Sequence, residues 1–283
     1  MTAPILRQLA DLRALTTQWH QQGEVIGVVP TMGALHPGHL SLVQAAKAGS
    51  DRVIVTIFVN PKQFNNPEDL ANYPRTEQED RQKLNPYGVD AIYVPDPGDI
   101  YPDGFATTVM VSGLTDVMEG VFRPGHFDGV ATIVAKLFLQ TQADRAYFGE
   151  KDYQQLMIVR RMARDLDIAV DVIGCPTVRE TSGLAMSSRN LRLSPEGLRI
   201  AARKNEIMQQ MASALATGAP FAPLADSARA DLIAAGFTDV EYIELRCAET
   251  LEALPQALRP ARLFITAWAE GVRLIDNIAV PAA

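Results

Sequence analysis

Two of the chain's four histidines, His36 and His39, lie three residues apart in Pro30-Thr31-Met32-Gly33-Ala34-Leu35-His36-Pro37-Gly38-His39. At a helix start that spacing puts both rings on one side. A helix amino terminus offers N–H groups and partial positive charge to a phosphate, and Gly33 and Gly38 carry no Cβ to hold a nucleotide away. The pair can donate hydrogen bonds to an α-phosphate as it becomes pentacoordinate, where charge grows in the transition state. The bland reading of an isolated HxxH is a capping turn. Its context here, a glycine-bearing turn after a strand, favours the phosphate.

Three further groups carry suitable chemistry. In Met186-Ser187-Ser188-Arg189, hydroxyls and a guanidinium can grip phosphate oxygens, and Gly183 is read as allowing that loop to move. In Gly149-Glu150-Lys151-Asp152, after the strand-like Ala146-Tyr147-Phe148, Lys151 can balance charge on the α- and leaving phosphates. Gln155, four residues on and read on the same helical face, and Gln63 in Phe58-Val59-Asn60-Pro61-Lys62-Gln63-Phe64, offer amides to a hydroxyl or carboxylate. Met32 and Phe64 can wall an apolar part of a substrate or belong to the core. Arg123 and His126, in a second glycine-bearing turn, can contact a carboxylate or simply build the turn.

These groups must be positioned by a sheet. Residues 25 to 30 and 52 to 59 are β-branched runs without alternation, the pattern of strands covered on both faces. Between them residues 36 to 49 read as a helix, with Pro37 in its first turn and Gly49 at its exit, giving a βαβ unit. Helix and strand then alternate through residues 76–95, 126–149 and 152–174. The fold class is α/β, a Rossmann-like doubly wound parallel sheet over 1–176. A smaller α+β domain over 177–283, with helices from 194 and around 223–236 and three strands, is expected to close over the nucleotide site. A joint between domains is a common place for a site.

Composition narrows the partners. With 283 residues and 47% hydrophobic content the chain can bury a real core, and a net charge of -7 gives no field for nucleic acid. Cys175 and Cys247 stand in no CxxC or Cys/His cluster, so neither a disulfide framework nor structural zinc is suggested. No leader pattern and no apolar run of about 18 residues appears, which fits a cytoplasmic protein with no membrane partner.

The HxGH turn resembles the signature of the nucleotidyltransferase superfamily and its class I aminoacyl-tRNA synthetase relatives, and the MSSR segment resembles their KMSKS-type loop. There is no Walker A loop. Six blocks in order, PTMGALHPGH, FVNPKQF, YPRT, RPGHFDGV, GEKDYQQ and GLAMSSRN, resemble those of the pantothenate synthetase family, and the likeness extends to LFITAWAEGVRLIDN. Where that family shares HEGH or HDGH this chain reads HPGH, a change at a position that need not touch ligand.

The resemblance implies a two-domain homodimer using ATP and Mg²⁺. Pantoate attacks the α-phosphate to give pantoyl-adenylate and pyrophosphate; β-alanine then attacks the acyl carbon and AMP leaves. By the same resemblance Met32, Gly33, Ala34, Leu35, His36, Pro37, Gly38 and His39 line the ATP. So do Gly149, Glu150, Lys151, Asp152, Val178, Met186, Ser187, Ser188 and Arg189. His39, His36, Lys151 and Arg189 are the catalytic candidates, and Gln63 and Gln155 hold pantoate, Gln63 also meeting β-alanine. Magnesium keeps waters and takes few protein ligands, so no residue is assigned to a metal. Two alternatives remain: another HxGH nucleotidyltransferase with a phosphorylated acceptor, which needs extra basic residues, and a nucleotide-binding module without turnover, whose mark would be loss of Lys151 or a histidine.

Overall fold

The computed structural model describes residues 3–283. It divides into two compact units, one running to Glu150 and from Gln154 to Pro176, the other comprising Lys151–Tyr153 and Thr177–Ala283. The second unit thus includes three residues that the expected 177–283 domain lacks.

The first unit runs β1 (Ile5–Leu6), α1 (Leu9–Gln21), β2 (Ile26–Thr31), α2 (Pro37–Gly49), β3 (Arg52–Ile57), α3 (Pro67–Ala71), α4 (Glu77–Leu84) and β4 (Ala91–Tyr93). It continues through α5 (Pro97–Ile100), α6 (Glu119–Phe122), α7 (His126–Thr141), β5 (Arg145–Gly149), α8 (Tyr153–Asp165, whose first residue belongs to the second unit) and β6 (Asp171–Cys175). The strands form one sheet in the order β1-β4-β3-β2-β5-β6, every pair parallel. The doubly wound expectation is borne out. Chain order runs outward from β2 through β3 to β4, then restarts on its other side at β5, so the switch point lies between β2 and β5, where such sheets bind ligands at their carboxyl ends.

The β-branched runs predicted as doubly covered are so: Ile26, Val28 and Val29 in β2, and Val53, Ile54 and Val55 in β3, are wholly buried. Thirteen of the sixteen residues of α7 are buried, as expected of a helix apolar nearly all round. It packs so closely on the 3₁₀ turn Pro61–Gln63 that a Cβ on Gly129 would stand 2.3 Å from the Lys62 carbonyl oxygen. No element was predicted for the first 22 residues. The structure places β1 there and α1, whose buried Leu12, Thr16 and Trp19 follow helical spacing.

The second unit holds α9 (Pro195–Leu215), α10 (Phe221–Ala234) and an antiparallel sheet in the order β7 (Asp239–Cys247), β8 (Ala261–Ala269), β9 (Val272–Val280). Its core joins Ala201, Met208 and Leu215 of α9 and Leu232 of α10 to Leu245, Leu263, Ile265 and Leu274 of the strands. Among the described residues no helix is long and apolar enough to cross a membrane.

Candidate active site

At the carboxyl end of β2 the chain turns through Gly33 and Ala34, both at positive φ (81° and 50°), before α2. A non-glycine residue in that region is strained, and the turn is held from outside. The wholly buried Asp80 of α4 accepts the N–H of Ala34 at 2.9 Å through Oδ2 and of Leu35 at 2.7 Å through Oδ1, and the Thr76 hydroxyl at 3.1 Å. Lys83 Nζ donates to the Leu35 carbonyl at 2.9 Å. These bonds take up the Ala34 and Leu35 amides, and the Leu35 side chain is buried in the core. Ala34 and Leu35, expected to line ATP, thus have their amides engaged in shaping the turn.

His36 is the N-cap of α2, with Pro37 at its first position. Its Nδ1 accepts the Gly38 N–H at 3.1 Å, while Nδ1 of His39 accepts the His36 N–H at 3.4 Å, a reciprocal capping box. The two rings lie 4.1 Å apart, tilted by 38°. An Nδ1 that accepts carries no proton, so each neutral ring is the tautomer protonated on Nε2. The capping and phosphate readings coincide: the caps fix which nitrogen donates.

Below β3, the 3₁₀ turn ending at Gln63 is anchored on the buried Asn60. Asn60 Nδ2 donates to Gln63 Oε1 and to the Gly129 carbonyl, both at 3.0 Å, and its Oδ1 accepts the Tyr101 hydroxyl at 2.8 Å. Burial pushes the Tyr101 phenol up from its ordinary value, keeping it a donor. Arg123 and His126 build their turn: His126 Nδ1 donates to the Gln63 carbonyl at 2.8 Å and Arg123 donates to His126 Nε2 at 3.1 Å. Gln155 is half-exposed on α8. Beside it the buried Gln154 donates to the Leu114 and Val117 carbonyls, each at 2.8 Å.

The second unit carries the cations. Lys151 lies in a single 3₁₀ turn, Glu150–Asp152, before α8, so the α-helical same-face argument linking it to Gln155 does not apply. Lys151, Ser187, Arg189, Asn190, Lys204 and Arg273 line one pocket within this unit. Ser187 caps the 3₁₀ segment Ser188–Arg192, its Oγ accepting the Arg189 N–H at 3.2 Å, which leaves its own O–H to donate. Residues 178–186 form a tight hairpin, with Met186 N–H donating to the Val178 carbonyl at 3.0 Å. Gly183 has φ 85°, and a Cβ there would meet Asn205 Nδ2 at 2.6 Å. Its carbonyl accepts from Arg179 at 3.0 Å. The glycine read as allowing the loop to move sits at this turn, at positive φ and beside Asn205 and Arg179. Lys204, unnoticed in the sequence, is buried with Nζ donating to the Leu274 carbonyl at 3.0 Å. Burial pushes its ammonium down to about 8, against the opposing pull of Asp276.

The family model described as pantoate-beta-alanine ligase matches residues 4–279. The chain belongs to the pantoate–β-alanine ligase family. Among curated members of the family, the pantothenate synthetase of Ruegeria pomeroyi is 72% identical over 280 residues, covering 99% of this chain and 98% of the relative. That of Roseobacter denitrificans is 64% identical over the full length of both. The Thermus thermophilus pantothenate synthetase structure superposes with TM-score 0.92 at 44% identity, covering 98% of this chain and 99% of that one. The Francisella tularensis pantoate-beta-alanine ligase, complexed with beta-gamma ATP and beta-alanine, gives 0.83 at 38%, covering 98% and 97%.

Across this pantoate–β-alanine ligase fold the structure brings Met32 to His39 together in the first unit, and Lys151 with Ser187 and Arg189 in the second. Asp80, which holds the first group's backbone, and Asn60, which holds the turn ending at Gln63, were not found in the sequence. Asp80 sits in the wholly polar stretch Glu77–Lys83, where nothing marks one acid as buried.

Proposed function

We propose that this protein joins pantoate to β-alanine with ATP, by way of a pantoyl-adenylate. The observation that carries this reading is the reciprocal cap at the head of α2, which turns two imidazoles into Nε2–H donors at the carboxyl end of β2 in a chain of this family. A carboxylate is a poor acyl donor because oxide does not leave; adenylation replaces it with AMP. In-line displacement at phosphorus needs positioning and charge neutralisation rather than an enzyme nucleophile. His36 and His39 would donate to the α-phosphate as its charge grows, and neutral rings do so without holding the leaving group.

Lys151, Ser187, Ser188 and Arg189 would contact the β- and γ-phosphates, with Gly149, Glu150, Asp152, Val178 and Met186 against the nucleoside. Gln63 and Gln155 would hold pantoate. The Francisella relative bound beta-alanine, which supports β-alanine as the amine here. Imidazole N–H, ammonium, guanidinium and hydroxyl groups suit phosphate oxygens and not a divalent cation, so Mg²⁺ would ride on the triphosphate. A cytoplasmic homodimer is the state implied by the family resemblance, and sedimentation of the purified chain at twice its monomer mass would support it.

The test is pyrophosphate release from MgATP. Release that requires pantoate, with AMP and pantothenate formed once β-alanine is added, supports the reading. Release driven instead by a phosphorylated acceptor sinks it.

A further inference from the structure

We infer that Asp276 and Asn277, adjacent in β9, are the positioning pair of the second unit, each fixing one of the two groups read above as triphosphate contacts. Neighbouring residues of a strand face opposite sides of a sheet. Asp276 shares its side with Val272, Leu274, Ile278 and Val280, a carboxylate 3% exposed in an apolar row. A charge there is costly unless paired. Its partner is Arg179, which grips it with two bonds of 2.8 and 2.9 Å and at the same time donates to the Gly183 carbonyl at the tip of the 178–186 hairpin. The hairpin that leads into Ser187, Ser188 and Arg189 is therefore tied to Asp276.

Asn277, 2% exposed, donates through Nδ2 to the Lys151 carbonyl at 2.8 Å. Its own N–H donates to Asp276 Oδ1 at 2.8 Å, so the two anchors are one hydrogen-bonded piece. Tyr153 seats the far end of the same segment, with its hydroxyl on the Ala248 carbonyl at 3.0 Å, its ring against Phe264, and the Arg262 guanidinium 3.9 Å from the ring centre. A lysine side chain is long and flexible; fixing its backbone at both ends restricts where the ammonium can reach. A displacement of about 1 Å at a reacting group costs on the order of 10²-fold in rate.

This inference rests on the proposed phosphate role of Lys151 and Arg189, and the test separates the two. MgATP binding by calorimetry and pantoate-dependent pyrophosphate release are measured on the unaltered protein, Asn277→Ala, Lys151→Ala and the double variant. Asn277→Ala should weaken ATP binding and release by roughly 10²-fold while leaving the KM for pantoate unchanged. In the Lys151→Ala background the same substitution should cost almost nothing, because it acts through the lysine. Asp276→Asn against Arg189→Ala forms the equivalent cycle for the hairpin.

Should Asn277→Ala fail to fold, Tyr153→Phe removes one hydroxyl and should lose about fivefold in the same cycle. An undiminished loss in the Lys151→Ala background, or a pantoate KM that rises as far as that for ATP, overturns the pair's role. An unaltered protein that binds ATP but releases no pyrophosphate with pantoate sinks the reaction and leaves the binding cycle to judge the pair. One that binds no ATP overturns both.

Discussion

On the proposed function, the head of α2 and the pocket of the second unit would address the same kind of ligand by opposite means. At α2 the groups are two imidazoles whose Nδ1 atoms accept backbone caps, and the buried Asp80 holds the turn. In the second unit the groups read as phosphate contacts include the cations Lys151 and Arg189, in a pocket also lined by Lys204 and Arg273, with Asp276 and Glu241 engaged by Arg179 and Arg273. Neutral donors in fixed directions discriminate between ground and transition state by geometry, whereas charges attract any polyphosphate and are screened by salt.

The largest effect should come from His39. His39→Ala should lower pantoate-dependent pyrophosphate release by about 10²–10³-fold, the usual worth of one transition-state donor. It should also destabilise the fold by about 1 kcal/mol through the lost cap. His39→Asn can keep an acceptor for the His36 N–H and should restore stability in a thermal melt without restoring turnover. Recovery of turnover in the asparagine variant would mean that capping alone matters, and the contrast drawn above would collapse.

The next effect concerns Lys204. Below pH 8 this lysine is charged in folded and unfolded chains alike, and the folded state bears the cost of burying it. Between about 8 and its ordinary 10.5 the folded lysine has lost its proton while the unfolded one keeps it, so stability rises with pH across that window. Lys204→Met should therefore stabilise the protein at neutral pH by about 3 kcal/mol in urea unfolding, an advantage that shrinks towards pH 10.5. A difference independent of pH would show that the ammonium carries no such cost.

Smallest is the effect of Arg189. Arg189→Gln should weaken ATP binding by about tenfold and flatten its dependence on ionic strength, because a charged contact has been removed. His39→Asn should leave the salt dependence as it was. Equal salt slopes for the two variants would erase the distinction between the regions.

Legibility in the sequence follows the same divide. The strands of the parallel sheet are apolar runs and the turn after β2 carries its own glycine and histidines, so both were readable. Lys204 and Asp276 were also open to view. The lysine interrupts the stripe Ala201, Met208, Met211 and Leu215 of α9, and the acid interrupts the row Val272, Leu274, Ile278 and Val280 of β9. Each breaks a period that the surrounding residues keep. Asp80 breaks none, since the only apolar residue of α4 is Leu84 at its end and the stretch Glu77–Lys83 is polar throughout. Asn60 and Gln154 act by bonding carbonyls far along the chain, and backbone partners leave no trace in residue type. At Gly183 the residue type signals the positive φ that the structure shows, while its contacts with Asn205 and Arg179 lie outside what a glycine can announce.

The seat of Lys151–Tyr153 bears on how this chain can be cut and recombined. A gene fragment ending at Pro176 carries three residues whose partners, Ala248, Phe264 and Asn277, are encoded downstream. The complementary fragment would expose Phe264 and Arg262 where Tyr153 belongs. A chimaera of two homologues joined at residue 176 would set one parent's tyrosine against the other's socket, so the three residues and their seat must descend together.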